Sequence, residues 1–402
     1  MTETALGGVR VLELCKLVAG PYCTKLLADL GAEVVKVEPP GSGDPARHLP
    51  PFYHDEPDPE KSGLFLYLNT NKLGITLDVA TATGREILLR LAKDVDVIVE
   101  DNEPGWMSRH SIGYDDLKAI NPGIIMASIA PFGQTGPYRD YRAHHLNVFH
   151  SGGEGYLTPG GIDNMERPPL KVGNLVGEYD SGLNAAIAIL GALYRRKRSK
   201  QGQYIDISKQ ESVMSLNRLD LPRWANEGEI INRSKLGVPY GGALPCRDGY
   251  TVLVTWEGEQ WDSLVGFMGE PEWARDERFG SYASRYRNGE LINALLTEWT
   301  VNHSKDELYH GGQAAGVPFA TAADARDLVE SEQLKARGFF VEIDHPKTGK
   351  VKYLSAPYAF SETPWRVERP APLLGQHNEE IFVDRLGILR EELSRMGMAG
   401  VI

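Results

Sequence analysis

Cysteine is scarce in this chain. Only Cys15, Cys23 and Cys246 occur in 402 residues, scattered and with no CxxC pair, so neither a disulfide framework nor a thiolate metal site is indicated. No HExxH is present either, and catalysis by a bound metal has no ligand set to start from. The first strand-to-helix turn, Lys16-Leu-Val-Ala-Gly-Pro-Tyr22, lacks the GxGxxG that lets a dinucleotide pyrophosphate approach backbone amides, which disfavours a nicotinamide or flavin dehydrogenase. No apolar run approaches the ~20 residues of a membrane span, and the opening MTETALGGVR has no signal-peptide pattern; a cytoplasmic protein without a membrane partner is expected. Positive charge is in the minority, 43 Lys and Arg against 55 Asp and Glu, for a net charge of -12. That balance argues against nucleic acid as a partner, while leaving room for a local basic patch that holds one phosphorylated ligand.

What is present is an alternation of strand-like and helical patterns. Val9 to Leu14 reads as a strand, a helix opens near Ala19-Gly-Pro21 and stops at Leu30-Gly31, and Glu33 to Glu38 is the next strand. Further on come Ile75 to Leu77, a helix over 82–92, a strand over 96–100, a short helix over 115–120 and a strand over 124–129. Strands alternating with helices imply an α/β fold with a mostly parallel sheet covered on both faces, here a Rossmann-like large domain. The Pro-rich interval between Glu38 and Gly63 is too long for a routine connection, and Arg47 and His48 are its candidate anion contacts.

From about Trp224 the texture changes. The glycine-bearing Lys235 to Gly242 precedes a strand over 250–256 and helices over 260–268 and 290–300, so 225–330 is expected to be a smaller α+β domain. Residues 1–224 then form the N-terminal part of the large domain, and 331–402 form a return segment, with strands around a turn at Pro346 to Gly349 and a terminal helix over 378–396.

The chain is organised around residues 174–194. Leu183, Ala186, Ile187, Leu190 and Tyr194 recur at helical spacing, which predicts a helix starting near Asp180 with these residues on its buried face. Asp180 or Ser181 is placed to cap its first turn. Glu178 then lies just ahead of the helix, where the positive end of the peptide dipoles favours an ionised carboxylate by about 0.3–1 kcal/mol. An ionised carboxylate in a shielded place is a candidate nucleophile toward an acyl group. The cations Arg195 to Lys200 close the same helix and complement its negative end.

Several stretches together resemble the class III CoA-transferases, the family of formyl-CoA transferase, carnitine CoA-transferase and α-methylacyl-CoA racemase. They are Val11-Leu-Glu-Leu with Ala19-Gly-Pro, Leu30-Gly-Ala-Glu-Val-Val-Lys-Val-Glu38 with Gly41-Ser-Gly-Asp44, Asn69-Thr-Asn-Lys-Leu-Gly-Ile-Thr-Leu-Asp78, Pro131-Phe-Gly-Gln-Thr-Gly-Pro-Tyr138, Gln201-Gly-Gln-Tyr-Ile-Asp-Ile-Ser208, Ala336-Arg-Gly-Phe339 and Pro372-Leu-Leu-Gly-Gln-His377. The resemblance implies a large domain made from both chain ends, a smaller domain between them, and an interlocked dimer. It further implies a coenzyme A thioester as substrate with no tightly bound cofactor, and an aspartate before the central helix that attacks the thioester to form a mixed anhydride.

Matched through Asn174-Leu-Val-Gly177 and Gly182, that aspartate falls on Glu178. Glutamate carries the same carboxylate one methylene further out, a displacement of about 1 Å that can lower a rate ~10²-fold. Where the family commonly has Asn-(Phe/Tyr)-Arg-Pro-Gly, with the arginine against the CoA phosphates, this chain reads Asp101-Asn-Glu-Pro-Gly105. Asn102 and Glu103 thus occupy the phosphate-binding positions, and Glu103 reverses the charge; two unit charges at ~4 Å and an effective dielectric of ~20 interact by about 4 kcal/mol. Arg47 and Lys72 are the candidates to compensate.

The two departures lean toward a catalytically degenerate subunit that pairs with a homologous active chain, as in heteromeric transferases of benzylsuccinate-type acids with succinyl-CoA as donor. An active homodimeric transferase with Glu178 as nucleophile is the alternative. A further one is an acyl-CoA racemase, because Ala143-His-His-Leu-Asn147 matches that branch and puts His144 at its histidine, to exchange a proton together with Glu178. Trp106, Tyr138, Tyr179, Tyr240 and Trp256 are candidates for an aryl pocket, although core packing accounts for each more simply.

Overall fold

The computed structural model describes residues 4–162, 164–217, 220–235, 238 and 240–402. Part of the glycine-bearing 235–242 stretch therefore lies outside the described residues. Two compact units form: one from 1–158, 169–230 and 336–402, the other from 159–168 and 231–335.

In the first unit, six strands run parallel in the order β3-β2-β1-β4-β5-β6: β1 (Arg10–Leu14), β2 (Glu33–Glu38), β3 (Lys72–Thr76), β4 (Val97–Glu100), β5 (Ile125–Ala130) and β6 (Tyr204–Ser208). β3, β4 and β5 are buried along their whole length, as expected of a parallel sheet covered on both faces. Successive residues of β1 feed opposite layers. Leu12 and Leu14 pack with Ile75, Ile87, Leu88 and Leu117 below α3 (Ala82–Ala92) and α5 (Tyr114–Ile120). Val11 packs on the other side with Cys23 and Leu27 of α1 (Ala19–Asp29) and with Ala185 and Ile189 of α7 (Val176–Ser199). The elements expected on either side of β1 and β2 thus form within a residue or two of their expected ends. α2 (Gly63–Leu68), α4 (Trp106–Arg109), α6 (His145–Ser151) and α8 (Lys209–Met214) were not anticipated; each is a turn or two long, too short to show a periodicity.

α7 departs from expectation in two ways. It begins four residues before Asp180, so Glu178 sits inside its first turn and neither Asp180 nor Ser181 caps it. The Ser181 hydroxyl instead donates to the Gly177 carbonyl at 2.6 Å, and Asp180 accepts from Asn184 at 3.2 Å. Its buried face is the small-residue one, Gly177, Ser181, Gly182, Ala185, Ala186, Ile189 and Ala192, while Leu183, Ile187 and Tyr194 point outward at 45%, 59% and 64% exposure. The reason is distance: a Cβ added at Gly182 would stand 2.5 Å from the Ala19 carbonyl oxygen, so α1 and α7 approach through glycine and alanine.

The long interval after β2 carries two 3-10 turns, Pro45–His48 and Tyr53–Asp55. The return segment covers the open edge of β3: Gly74 N–H donates to His377 Nδ1 at 3.0 Å, Thr76 N–H to the Asn378 side-chain oxygen at 2.9 Å, and Asn71 N–H to the Arg369 carbonyl at 3.0 Å. The same segment forms an antiparallel hairpin from β10 (Phe340–His345) and β11 (Gly349–Leu354) around the expected turn. It ends in a π-helical turn (Glu379–Arg385) and a helix (Arg390–Met398), so one continuous helix over 378–396 is corrected to two pieces separated at Gly387.

The second unit holds an antiparallel sheet of β7 (Gly242–Cys246), β8 (Gly249–Leu253) and β9 (Phe319–Thr321), with a core of Tyr240, Leu253, Trp261, Phe279, Ile292 and Phe319. Among the described residues no helix is long and apolar enough to cross a membrane.

Candidate active site

The sheet order changes direction between β1 and β4, and the site opens at the carboxyl ends of these strands, where the diverging helices leave a crevice. A cavity of about 830 Å³ is lined there by Lys16 from the turn after β1, Asp101 to Pro104 after β4, Pro131 after β5, Lys209 after β6 and Glu178 from the first turn of α7. A second cavity of about 380 Å³ shares Lys16, Asp101 and Asn102 with it and extends over Cys15, Pro39, Asp44 and Trp106.

The turn after β1 is held by carboxylates rather than shaped by glycine. Lys16 N–H donates to both oxygens of Asp101 at 3.1 and 3.0 Å, and Leu17 N–H donates to Asp44 Oδ1 at 2.9 Å. Leu17 itself adopts a φ of 63°, a region a branched side chain rarely enters, fixed between those two bonds. The amides that would cradle a pyrophosphate in a dinucleotide site are thereby already occupied.

Glu178 is 9% exposed, and Lys209 Nζ donates to its Oε2 at 2.7 Å. The carboxylate also sits at the positive end of α7, so two sources of positive potential face it. Asp101 lies within the field of Lys209; burial pushes its carboxyl up to about 7 against the opposing pull of Lys209 and of the Lys16 amide. His145 is the histidine that feels Glu178. Burial lowers its pKa, reinforced by Lys171, while Glu178 acts in the opposite sense. His144, the residue singled out by the sequence match, also lines the cavity but is exposed at the start of α6, where its backbone N–H donates to the Asn147 side-chain oxygen at 3.0 Å.

The four expected CoA contacts separate into two pairs. Asn102 and Glu103 line the main cavity, Glu103 exposed to solvent and Asn102 bonded to Glu100 through its N–H at 2.8 Å. Arg47 and Lys72 do not line it. Arg47 is fully buried, its guanidinium bonded to Glu38 at 2.7 and 2.8 Å, to Glu60 at 2.6 Å and to the Pro372 carbonyl at 3.0 Å. Lys72 is buried beneath the turn, bonded to Glu13 at 2.8 Å, to the Pro21 carbonyl at 2.8 Å and to Asn69 at 2.9 Å. Both are corrected to internal ion pairs, because a buried charge without a partner would cost several kcal/mol. They belong to a buried network in which Lys36 bridges Glu13 and Asp44, each at 2.8 Å. Burial pushes Glu13 up, but Lys36 and Lys72 outweigh it and bring it down to about 2.

The positive charge that does face the cavity comes from residues not singled out in the sequence: Lys16, Arg109, Arg139 and Arg142, besides Lys209. Lys209 had a signal, a lysine directly after a strand in a parallel sheet, but the strand over 204–208 was not read as one. Of the aromatic candidates, Tyr179 makes an edge contact with Tyr22, Trp106 lines the smaller cavity, Tyr138 stacks on Tyr141 at half exposure, Tyr240 is buried in the second unit and Trp256 is 63% exposed. Among the described residues no cluster of His, Cys, Asp and Glu is arranged to hold a metal, and all three cysteines are buried and free.

Comparison with known proteins agrees with this layout. The model of CoA-transferase family III matches residues 6–378. A succinyl-CoA–D-citramalate CoA-transferase of Chloroflexus aurantiacus is 35% identical, covering 99% of this chain and 98% of its own. A formyl-CoA:oxalate CoA-transferase of Streptomyces coelicolor is 34% identical over the whole of both chains. Among solved structures, a CAIB/BAIF family protein from Brucella suis superposes with a TM-score of 0.85 at 31% identity, covering 95% of this chain and 100% of that one. Matched nearly end to end in sequence and in fold, the chain belongs to CoA-transferase family III.

Proposed function

We propose that this chain itself transfers CoA from an acyl-CoA to a carboxylic acid, with Glu178 as the covalent nucleophile. The observation that carries the reading is the Glu178 carboxylate: shielded, paired with Lys209 at 2.7 Å, placed in the first turn of α7, and facing a cavity of about 830 Å³ at the switch point of the sheet. The smaller cavity beyond Asp101 and Asn102 gives a long thioester ligand a second chamber.

Four displacements complete the transfer. A Glu178 carboxylate oxygen attacks the thioester carbon, the C–S bond breaks and the electron pair leaves on sulfur, giving a mixed anhydride and CoA thiolate. The thiolate attacks Cδ of Glu178 and the donor departs as its carboxylate. The acceptor carboxylate attacks the same carbon and expels the thiolate. That thiolate finally takes the acceptor acyl group and restores free Glu178. No proton, metal or oxidant enters.

Glu178 in place of aspartate and Glu103 in place of arginine are what point toward a silent subunit, and the exposure of Glu103 reduces its share. Repulsion of about 4 kcal/mol at an effective dielectric of ~20 falls to about 1 kcal/mol in bulk water. Lys16, Arg109, Arg139 and Arg142 on the same cavity wall supply the compensating charge in place of Arg47 and Lys72. A second copy of the chain is the proposed partner, covering the outward apolar face of α7. The names of the two relatives make succinyl-CoA the first donor to test and small dicarboxylic acids the first acceptors.

The test is incubation of the purified chain alone with succinyl-CoA, trapping with hydroxylamine and peptide mass spectrometry. A hydroxamate on Glu178 is expected. A chain that forms no adduct and turns over only with a homologous partner is the degenerate subunit instead. Exchange of the α-proton with deuterium in the absence of any acceptor acid would move the assignment to the racemase branch, with His144 or His145 of the cavity wall as the base.

A further inference from the structure

We propose that Lys209 is the anion-holding residue of the reaction: it pairs in turn with each group that carries the single negative charge, first Glu178, then the CoA thiolate, then the incoming carboxylate. The inference rests on the transferase reading and goes beyond it in assigning a role to a residue at the start of α8, 31 positions from the nucleophile.

Charge conservation drives the argument. Each of the four displacements moves one negative charge from one group to the next, and no proton is taken up. At rest the charge is on Glu178, and Lys209 Nζ holds it at 2.7 Å. Once Glu178 is acylated it is neutral, as an anhydride or as a thioester, and Lys209 loses its counterion. Its side chain is only 16% exposed, so water replaces that partner poorly and the ammonium draws in another anion.

Other charged groups nearby do not take over this task. Asp101 lies within the field of Lys209, but both its oxygens are bonded to the Lys16 amide. His145 is neutral or cationic and cannot serve as counterion. Glu103 and Asp140 also line the cavity but are exposed to water, so the groups left to pair with the shielded Lys209 are those the reaction itself makes anionic. While Glu178 is acylated, Lys209 therefore keeps the thiolate beside Cδ and, after the donor acid has left, selects a carboxylate over water as the next nucleophile. Transfer is favoured over hydrolysis for the same reason, since water carries no charge.

Glu178→Gln is a neutral mimic of the acylated side chain and permits a test without turnover. In its complex with CoA, the thiol is expected to titrate at least about one unit below that of free CoA, about a tenfold rise in thiolate at neutral pH, read by thiolate ultraviolet absorbance. Adding Lys209→Met should abolish the shift, and Lys209→Arg in its place should keep it. In the otherwise native chain, Lys209→Met should raise hydrolysis relative to transfer about tenfold. Equal thiol pKa values in E178Q and E178Q/K209M, an E178Q chain that does not bind CoA, or an unchanged ratio of hydrolysis to transfer would each overturn the assignment. The two readings fail separately. A native chain that acquires an adduct on Glu178 while the thiol pKa ignores Lys209 loses only the role of Lys209. A native chain with no adduct loses the transferase reading itself.

Discussion

At the scale of single residues, reach and charge decide what Glu178 can do. Glu178→Asp restores the shorter side chain expected from the family resemblance but withdraws the oxygen by about 1 Å from a cavity shaped around glutamate. The expected outcome is a fall in kcat of ~10²-fold, measured in a steady-state transfer assay. Glu178→Gln removes the proposed nucleophile and should lower kcat by a factor on the order of 10⁴ or more, with no trapped adduct. Asp101 offers a pH-dependent readout. Its carboxyl is raised from 3.8 to about 7, so between those values the folded chain holds a proton that the unfolded chain releases. Stability from this group is therefore present at low pH and declines as pH rises through 7. Asp101→Asn keeps an acceptor oxygen for the Lys16 amide and removes the titration. Relative to the native chain, the variant should gain denaturant resistance at pH 8, and the gain should vanish toward pH 4. A difference between the two chains that does not change with pH would contradict the assigned cause.

At the scale of elements, the close approach of α1 and α7 fixes where Glu178 emerges. Small residues on α7 and the turn at Ala19 allow the two helices to meet through backbone, which turns the first turn of α7 toward the ends of β1 and β4. Gly182→Val would place a Cβ at 2.5 Å from the Ala19 carbonyl oxygen. The helices must then separate, at about 1–3 kcal/mol of stability, and Glu178 moves with them. Thermal unfolding should show a lower midpoint, and transfer activity should fall even at temperatures where the variant is folded. Beneath the same turn, Lys36, Glu13 and Lys72 form a buried network that supports it from below. Lys36→Met leaves Glu13 with one cation and Asp44 with none, an expected loss of about 3–5 kcal/mol in chemical denaturation.

At the scale of the whole molecule, the outward face of α7 is the feature a single chain does not account for. Leu183, Ile187 and Tyr194 expose large apolar surface along one stripe of the longest helix among the described residues. A soluble chain rarely leaves such a stripe bare, and a second copy laid on it would bury it. Ile187→Glu is expected to shift the proposed dimer toward monomer in sedimentation equilibrium at micromolar concentration. If the native chain is already monomeric there, the assembly part of the proposal falls while the chemistry at Glu178 stands.

Much of the fold was legible because local periodicity carries it. Continuous apolar runs gave β1, β2, β4 and β5, and turn residues such as Pro21 and Gly31 gave the bounds of α1. The family was legible for a similar reason, as ordered motifs along one chain. What the periodicity of α7 did not reveal was which of its faces is buried, since that depends on what packs against it: α1 arrives so close at Gly182 that a Cβ there has no room. Nor could the sequence say which cations face the ligand. Arg47 and Lys72 are drawn inward by Glu38, Glu60 and Glu13, while Lys209 meets Glu178 from 31 positions further along the chain. Strands and helices are set by neighbours a few residues apart. Ion pairs are set by neighbours in space, and only the folded chain decides those.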